Sequence, residues 1–471
     1  MSGGGVLGPS DLLRRAAARA GAHLAVVDGQ ARLTFAQLDS AVTSAALALI
    51  GAGLRPGDRV ALQLPTGADF VVLYLGALRA GLVAVPANPS YTAAEVDYIR
   101  TDSQAGLFLD AAAARELLAG APAGLDPKGD RGGEELAVLL YTSGTSGRSR
   151  AAMLSARALV ANLDQLAAIQ PSLITGEDVL FVPLPLTHVF GLNAGLGMAL
   201  RLNATLVLAD RFDAGNTLTV MAAEKVTALL GVPGQYAAWL AHPMMRAGFA
   251  SVRFAMSGSA TLARGVVDGF AEAGVAIHDG YGLTEAAPVV TVNAFGAGRG
   301  KPTPGSVGLP VPGVEVELRD GDGDLVDEGD PGRVFIRGAN LFSGYWPDGA
   351  DGPDEAGWFA TGDIACADDL GQLRLVGRSA ELVIVNGFNV YPAEVAVVGV
   401  PDPVTGEAVR AFVVPAAGAV LKPEELLAWA ARSLARFKLP SAIEVVETLP
   451  RTVTGKIMKW QLERGPVDAS E

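Results

Sequence analysis

Four short segments of this chain carry residue types that could do chemistry. The first is built only of threonine, serine, glycine and arginine: Thr142, Ser143, Gly144, Thr145, Ser146, Gly147, Arg148, Ser149 and Arg150. Glycine lets a backbone fold so that several N–H groups converge on one anion. The hydroxyls add donors, and the guanidinium groups add charge with bidentate geometry for phosphate. The G-x-x-x-x-G-K-[ST] order of a P-loop is absent. A phosphate cradle and a solvated polar hairpin loop both fit this composition.

The second segment is His278, Asp279, Gly280, Tyr281, Gly282, Leu283, Thr284 and Glu285. An aromatic ring between glycines can offer its face to a flat ligand. Thr284 and Glu285 could hold a metal–phosphate group, and a strand-to-helix turn with Thr284 as its cap fits as well. In the third segment, residues 357–363, Asp363 could accept from ribose hydroxyls or simply sit in a glycine turn. The fourth, residues 449–456, ends in Gly455 and Lys456. That lysine is either a mobile charge for an anion or a solvated residue of the chain's tail.

These segments need a scaffold, and the pattern predicts one. A helix over residues 33–53, with Thr34 as its cap, leads to a short apolar strand at 60–64. A helix (69–80), a strand (83–86), a helix (93–101) and a strand (106–109) follow. Strand and helix in alternation predict parallel pairing and an α/β layer fold. The rhythm continues with strands at 137–140, 204–208, 228–232 and 252–256. After about residue 300 short strands at 314–318, 332–337 and 372–376, linked by Gly, Asp and Pro, predict a β-rich subdomain. A small α+β module closes the chain, with a strand at 411–415, a helix at 423–434 and a strand at 443–446. The expected division is 1–378 and 379–471.

Composition narrows the function. The 471 residues are 50% hydrophobic and 18% charged, which excludes a disordered chain. With 36 Lys and Arg against 50 Asp and Glu, the net charge of −14 opposes non-specific binding to nucleic acid or anionic membranes. Cys366 is the single cysteine, so no intrachain disulfide forms, and the four histidines lack metal spacing. The longest apolar run, residues 71–87, is broken by Gly76, Arg79, Gly81 and Pro86 and is too short to span a bilayer. No signal peptide is visible. The expectation is a cytoplasmic protein without an integral membrane segment, a monomer or homodimer.

Taken together and in this order, the four segments resemble the adenylate-forming superfamily: acyl-CoA synthetases, luciferases and nonribosomal peptide adenylation domains. The stretches Gly57-Asp58-Arg59-Val60 and Val85-Pro86-Ala87-Asn88-Pro89 add to the likeness to acyl-CoA synthetases. The resemblance implies a large α/β N-terminal domain, which includes the β-rich subdomain, and a mobile C-terminal domain. It also implies two steps. A carboxylate attacks the α-phosphate of Mg-ATP to give acyl-AMP and pyrophosphate, and the thiol of coenzyme A then takes the acyl group. By resemblance, residues 142–147 cradle the β- and γ-phosphates with Arg150 in support. Gly258, Ser259, Ala260, Asp279, Gly280, Tyr281 and Gly282 surround adenine, Tyr281 stacking on it. Thr284 bonds the α-phosphate, Glu285 holds Mg²⁺, and Asp363 and Arg378 bind the ribose. Lys456 bridges carboxylate and α-phosphate, then swings away. His188 lies where the acyl and pantetheine channels meet; a structural histidine is the alternative.

The chain departs from the family's pattern in three places. Ser149-Arg150-Ala151 replaces the usual Pro-Lys-Gly, keeping the charge on a more rigid fork. Ala380 stands where a polar hinge residue is usual, which bears on the domain equilibrium. The Asn386-Gly387-Phe388-Asn389-Val390-Tyr391-Pro392-Ala393-Glu394-Val395 motif runs straight into Ala396, without the helix and lead-in common in the family; a thinner C-terminal core is expected. An apolar, glycine-rich candidate pocket (Val189, Phe190, Gly191, Leu192, Val232, Pro233, Tyr236, Gly280, Gly282, Ala287, Pro288), free of Asp and of basic residues, points to a medium- or long-chain fatty acid and leaves an aryl acid open. The alternatives are an acyl-AMP ligase loading an acyl carrier protein and a non-catalytic nucleotide- or acyl-binding homologue.

Overall fold

Thr34 opens its helix as its sequence demands. Its side chain accepts from the Gln37 N–H at 3.2 Å, and the Gln37 side chain accepts from the Thr34 N–H at 2.9 Å, the reciprocal capping box. The helix Phe35–Gly51 buries Leu38, Val42, Ala45 and Leu49, and packs against the helix Ala68–Arg79. The computed structural model describes residues 8–127, 129, 132–142, 149–260, 262–294 and 305–378, together with 383–385, 388–390, 396–402, 406–415, 422–431, 439–450 and 462.

Two compact units are present. The first comprises Met1–Glu315 and Ile336–Phe359, the second Val316–Phe335 and Ala360–Glu471. The first holds a nine-stranded sheet in the order Leu309–Pro310, Val289–Val292, Ile277–Gly282, Phe254–Ser257, Ala228–Gly231, Val179–Val182, Thr205–Leu208, Leu24–Asp28 and Ala31–Thr34. The strands from Ile277–Gly282 through Leu24–Asp28 pair in parallel, and the edges are antiparallel. A five-stranded sheet, Leu107–Asp110, Arg59–Gln63, Val83–Pro86, Leu136–Thr142 and Arg150–Ser155, is parallel except for its last pair. The expected α/β architecture is therefore present.

On one face of the large sheet Phe181, Ala255 and Ile277 meet Trp239, Tyr236, Phe249 and Phe270 from the covering helices. Tyr236 corrects an expectation. It is fully buried, donates its O–H to the Met256 carbonyl at 2.9 Å and packs edge-on to Trp239 at 5.4 Å. It belongs to the core, because an aromatic that finds both apolar neighbours and one carbonyl gains more there than at a pocket wall.

The β-rich strands form a four-stranded sheet, Val314–Arg319, Gly332–Gly338, Phe359–Ala367 and Leu373–Arg378, lying mostly in the second unit. In the C-terminal module Ala396–Asp402 pairs antiparallel with Gly406–Val413, which pairs in parallel with Ala442–Val445. Val398 and Phe412 are its buried centre, with Val446, Leu449 and Leu462 against them. The helix Pro423–Ala430 lies within the predicted 423–434, of which residues 432–434 lie outside the described residues. Among the described residues no helix is long and apolar enough to cross a membrane.

Candidate active site

Parallel strands bring their carboxyl ends to one edge, and the segments that follow them are where open α/β sheets bind ligands. Here those segments are the turn holding His188 after Val179–Val182, Val232 after Ala228–Gly231, and Gly258, Ser259 and Ala260 after Phe254–Ser257. Asp279, Gly280, Tyr281 and Gly282 form the end of Ile277–Gly282. Residues far apart in the chain thus reach one edge through register: Gly231 pairs with Ser257, and Ser257 with Asp279.

Gly258 is buried under the Phe190 ring; a Cβ there would lie 3.0 Å from Phe190 Cε1. Ser259 adopts φ 72°, a left-handed conformation that turns the chain sharply after the strand. His188 accepts from the Phe190 N–H at its Nδ1, 3.3 Å away, just before the π-helix Phe190–Gly197. Such wide turns recur at functional sites. Gly282 permits a close approach: a Cβ would lie 2.1 Å from the Pro288 carbonyl oxygen, which accepts from the Leu283 N–H at 3.0 Å. The next residues form one 3-10 turn, Thr284–Ala286, in which Leu283 is the cap position. Thr284 therefore does not cap a helix; it opens a single turn.

Burial raises the Asp279 carboxyl to about 7. Its backbone is tied to Asn293, whose Oδ1 accepts from the Asp279 N–H at 2.8 Å. Between about pH 4 and pH 7 the folded chain holds a proton that the unfolded chain has released, so this group makes stability fall as pH rises across that window. Asp279→Asn mimics the protonated form. We expect the variant's stability advantage over wild type, measured as urea midpoints, to grow from pH 5 to pH 7.5; an equal difference at both pH values would contradict the burial effect. His278, on the opposite face, is held below its usual range by burial and stacks on Phe254 at 5.6 Å.

The turn Thr284–Ala286 supplies a buried carboxylate, and the edge strand Arg150–Ser155 a cation. Glu285 is 8% exposed, and its Oε1 accepts from the Tyr345 O–H at 2.5 Å. Burial and the Glu285 charge push the Tyr345 phenol well up, so it stays protonated as a donor. The Arg150 guanidinium lies 3.9 Å from the centre of the Tyr345 ring and pairs with Asp351 at 2.8 Å. This assembly follows from backbone pairing. Residues 343–346 lie along Arg150–Ser155: the Ser343 N–H donates to the Met153 carbonyl at 2.9 Å, the Trp346 N–H to Ala151 at 2.9 Å, and Ala152 bridges Tyr345. The Phe342 N–H donates to the Glu285 carbonyl at 2.9 Å. Tyr345, Asp351 and Asn293 carry no motif in the sequence, and only the fold reveals them.

Thr142 and Arg150 are register partners at the base of the hairpin. Ser149 Oγ donates to the Thr142 carbonyl at 2.8 Å, and the Tyr98 O–H donates to the Ser149 carbonyl at 2.8 Å. The loop itself, Ser143, Gly144, Thr145, Ser146 and Gly147, lies outside the described residues, as do Lys456 and Ala380. In the second unit Asp363 is buried and pairs in register with Arg378 across the antiparallel strands; the Arg378 side chain lies outside the described atoms. The Asp363 N–H donates to Thr361 Oγ1 at 3.1 Å, fixing the local turn.

Known proteins match this architecture along nearly the whole chain. Residues 13–346 match the AMP-binding enzyme family, and residues 391–456 the AMP-binding enzyme C-terminal domain. A feruloyl-CoA synthase of Amycolatopsis sp. is 35% identical, over 93% of this chain and 95% of its own. A long-chain-fatty-acid–CoA ligase of Yersinia pestis is 32% identical, over 88% and 86%. The crystal structure of ATP-bound MatB from Rhodopseudomonas palustris superposes with a TM-score of 0.88 at 32% identity, covering 97% of this chain and 99% of that one. With both of its regions matched and relatives of this identity spanning it, the chain belongs to the AMP-binding enzyme family of adenylate-forming CoA ligases.

Proposed function

We propose that this enzyme is an ATP-dependent carboxylic acid:CoA ligase acting on an apolar monocarboxylic acid, a medium- or long-chain fatty acid in the first place. The observation that carries the reading is the buried Glu285 carboxylate. It is held by Tyr345 beside Arg150, in the same unit as the strand ends that bear Tyr281 and Gly258. A carboxylate is a poor acyl donor, and joining it to AMP makes a good leaving group. The enzyme's task is then to stabilise charge on the pentacoordinate α-phosphorus.

In this reading Thr142, residues 143–147 and Arg150 hold the β- and γ-phosphates. Gly258, Ser259, Ala260, Asp279, Gly280 and Gly282 border the adenine that Tyr281 stacks on. Thr284 bonds the α-phosphate, and Asp363 and Arg378 bind the ribose. Lys456 bridges the reacting groups, and His188 stands between the acyl and thiol channels. A hinge at Ala380 carries Lys456 away before coenzyme A attacks. Glu285 suits Mg²⁺: the ion is usually held by one or two carboxylates plus substrate phosphates, and a hard carboxylate oxygen is what this site offers. When bound, the ion would neutralise phosphate charge. No cluster of three or more His, Cys, Asp or Glu ligands occurs among the described residues, so a site completed by the nucleotide fits better than an all-protein one.

A hydroxycinnamic acid is the second reading, favoured by the 35% identity to a feruloyl-CoA synthase. Both are tested by mass spectrometry of the products from Mg-ATP, coenzyme A and a mixed panel of alkanoic and aryl acids. The expected product is acyl-CoA with alkanoates preferred. Aryl products in excess would transfer the assignment to the second reading. Acyl-AMP alone would point to a carrier-protein acceptor, and neither product would refute ligation.

A further inference from the structure

Glu285 sits on a single 3-10 turn, a short element with little rigidity of its own. A carboxylate that must meet a cation in one orientation needs its rotamer set by something else. Tyr345 is built to do this. Its backbone is fixed by the bridge to Ala152 and by its N–H donating to the Ala350 carbonyl at 3.0 Å. Its ring packs against the Arg150 guanidinium at 3.9 Å and lies edge-to-face with Phe342, the two centroids 5.1 Å apart. Its O–H meets Glu285 Oε1 at 2.5 Å, a charge-assisted hydrogen bond. Among the described residues, Oε2 of Glu285 has no hydrogen-bond partner.

We propose that Tyr345 is a positioning residue: its hydroxyl holds one oxygen of Glu285 so that the other is presented to the Mg²⁺ of the bound nucleotide. The proposal rests on the assignment of Glu285 above and adds the group that orients it. The Arg150 charge over the ring face strengthens the phenol as a donor, so a cation of the hairpin base and the carboxylate act through one side chain.

Tyr345→Phe removes the hydroxyl and keeps the ring in its contacts with Arg150 and Phe342. Binding of a non-hydrolysable ATP analogue, followed by calorimetry at stepped Mg²⁺, separates the outcomes. In Tyr345→Phe the Mg²⁺ concentration for half-maximal binding should rise about tenfold, the worth of one hydrogen bond to a charged group. Binding without Mg²⁺ and the thermal midpoint should stay close to wild type. Glu285→Gln should abolish the Mg²⁺ dependence, and adding Tyr345→Phe to it should change nothing more. If Glu285→Gln matters and Tyr345→Phe does not, the positioning role is wrong and the Glu285 assignment stands. If Glu285→Gln also leaves the Mg²⁺ dependence intact, that assignment falls. 3-Fluorotyrosine at position 345 keeps the hydroxyl and needs no loss of it. Its fluorine resonance should shift when Mg²⁺ reaches the nucleotide-bound protein, but not in Glu285→Gln, and an unmoved resonance would overturn the proposal.

Discussion

Lys456→Ala should lower the rate of acyl-AMP formation by about 10²–10³-fold, the usual loss when one group that stabilises transition-state charge is removed. The lysine carries a compact charge on a flexible stem, suited to reach a phosphorus centre whose charge builds as the carboxylate adds. Transfer from supplied acyl-AMP to coenzyme A should fall far less, since the proposed role ends with the first step. The two half-reactions are separable by pyrophosphate exchange and by thioester formation from synthetic acyl-AMP. An unchanged exchange rate would remove Lys456 from the mechanism, and equal losses in both steps would point to damage to the C-terminal module instead. Lys456→Arg should not restore the rate, because a planar fork does not place charge where an ammonium does.

The largest expected effect on stability lies outside every motif named above. Arg79 closes the helix Ala68–Arg79 and is 0% exposed. Its guanidinium donates to Ser10 Oγ at 3.1 Å, to Thr43 Oγ1 at 2.7 Å, and to the carbonyl and Oδ1 of Asp39 at 2.9 and 2.6 Å. One side chain therefore ties three helices, Pro9–Ala20, Phe35–Gly51 and its own. Arg79→Ala removes the donors to Ser10 and Thr43 and the cation beside the Asp39 carboxylate, leaves the Asp39 carbonyl only its Thr43 hydroxyl partner among these side chains, and opens a cavity; it should cost about 3–5 kcal/mol. The check is the first urea transition of the purified variant. Arg79→Met, which fills the space and lets the partly exposed Asp39 carboxylate meet water, should cost less. A loss below about 1 kcal/mol in Arg79→Ala would mean that the network is redundant.

Arg79 also shows where reading a sequence reaches its limit. In the apolar run 71–87 it counts as an interruption that argues against a membrane span. Its opposite value, as the polar centre of three packed helices, depends on Ser10, Asp39 and Thr43, none of them near it in the chain. Tyr236 errs the other way: it reads as a pocket wall and folds into the aromatic core, because its hydroxyl finds the Met256 carbonyl twenty residues on.

Local chemistry determined much. Thr34 and Gln37 determine a helix start, apolar runs between turns determine Arg59–Gln63, Val83–Pro86 and Ala228–Gly231, and their alternation with helices determines parallel pairing. Motif order alone identified the family, because several spaced signatures are far more specific than any one. Tertiary structure decided what depends on register between distant strands. It brought Ser257 beside Asp279 and buried that carboxyl until its proton is held to about 7. It laid residues 343–346 along Arg150–Ser155, so that a tyrosine with no signature meets Glu285 sixty residues away. A hydrogen bond across such a separation is set by which edges pair, and pairing is a property of the whole sheet, which no window of sequence contains.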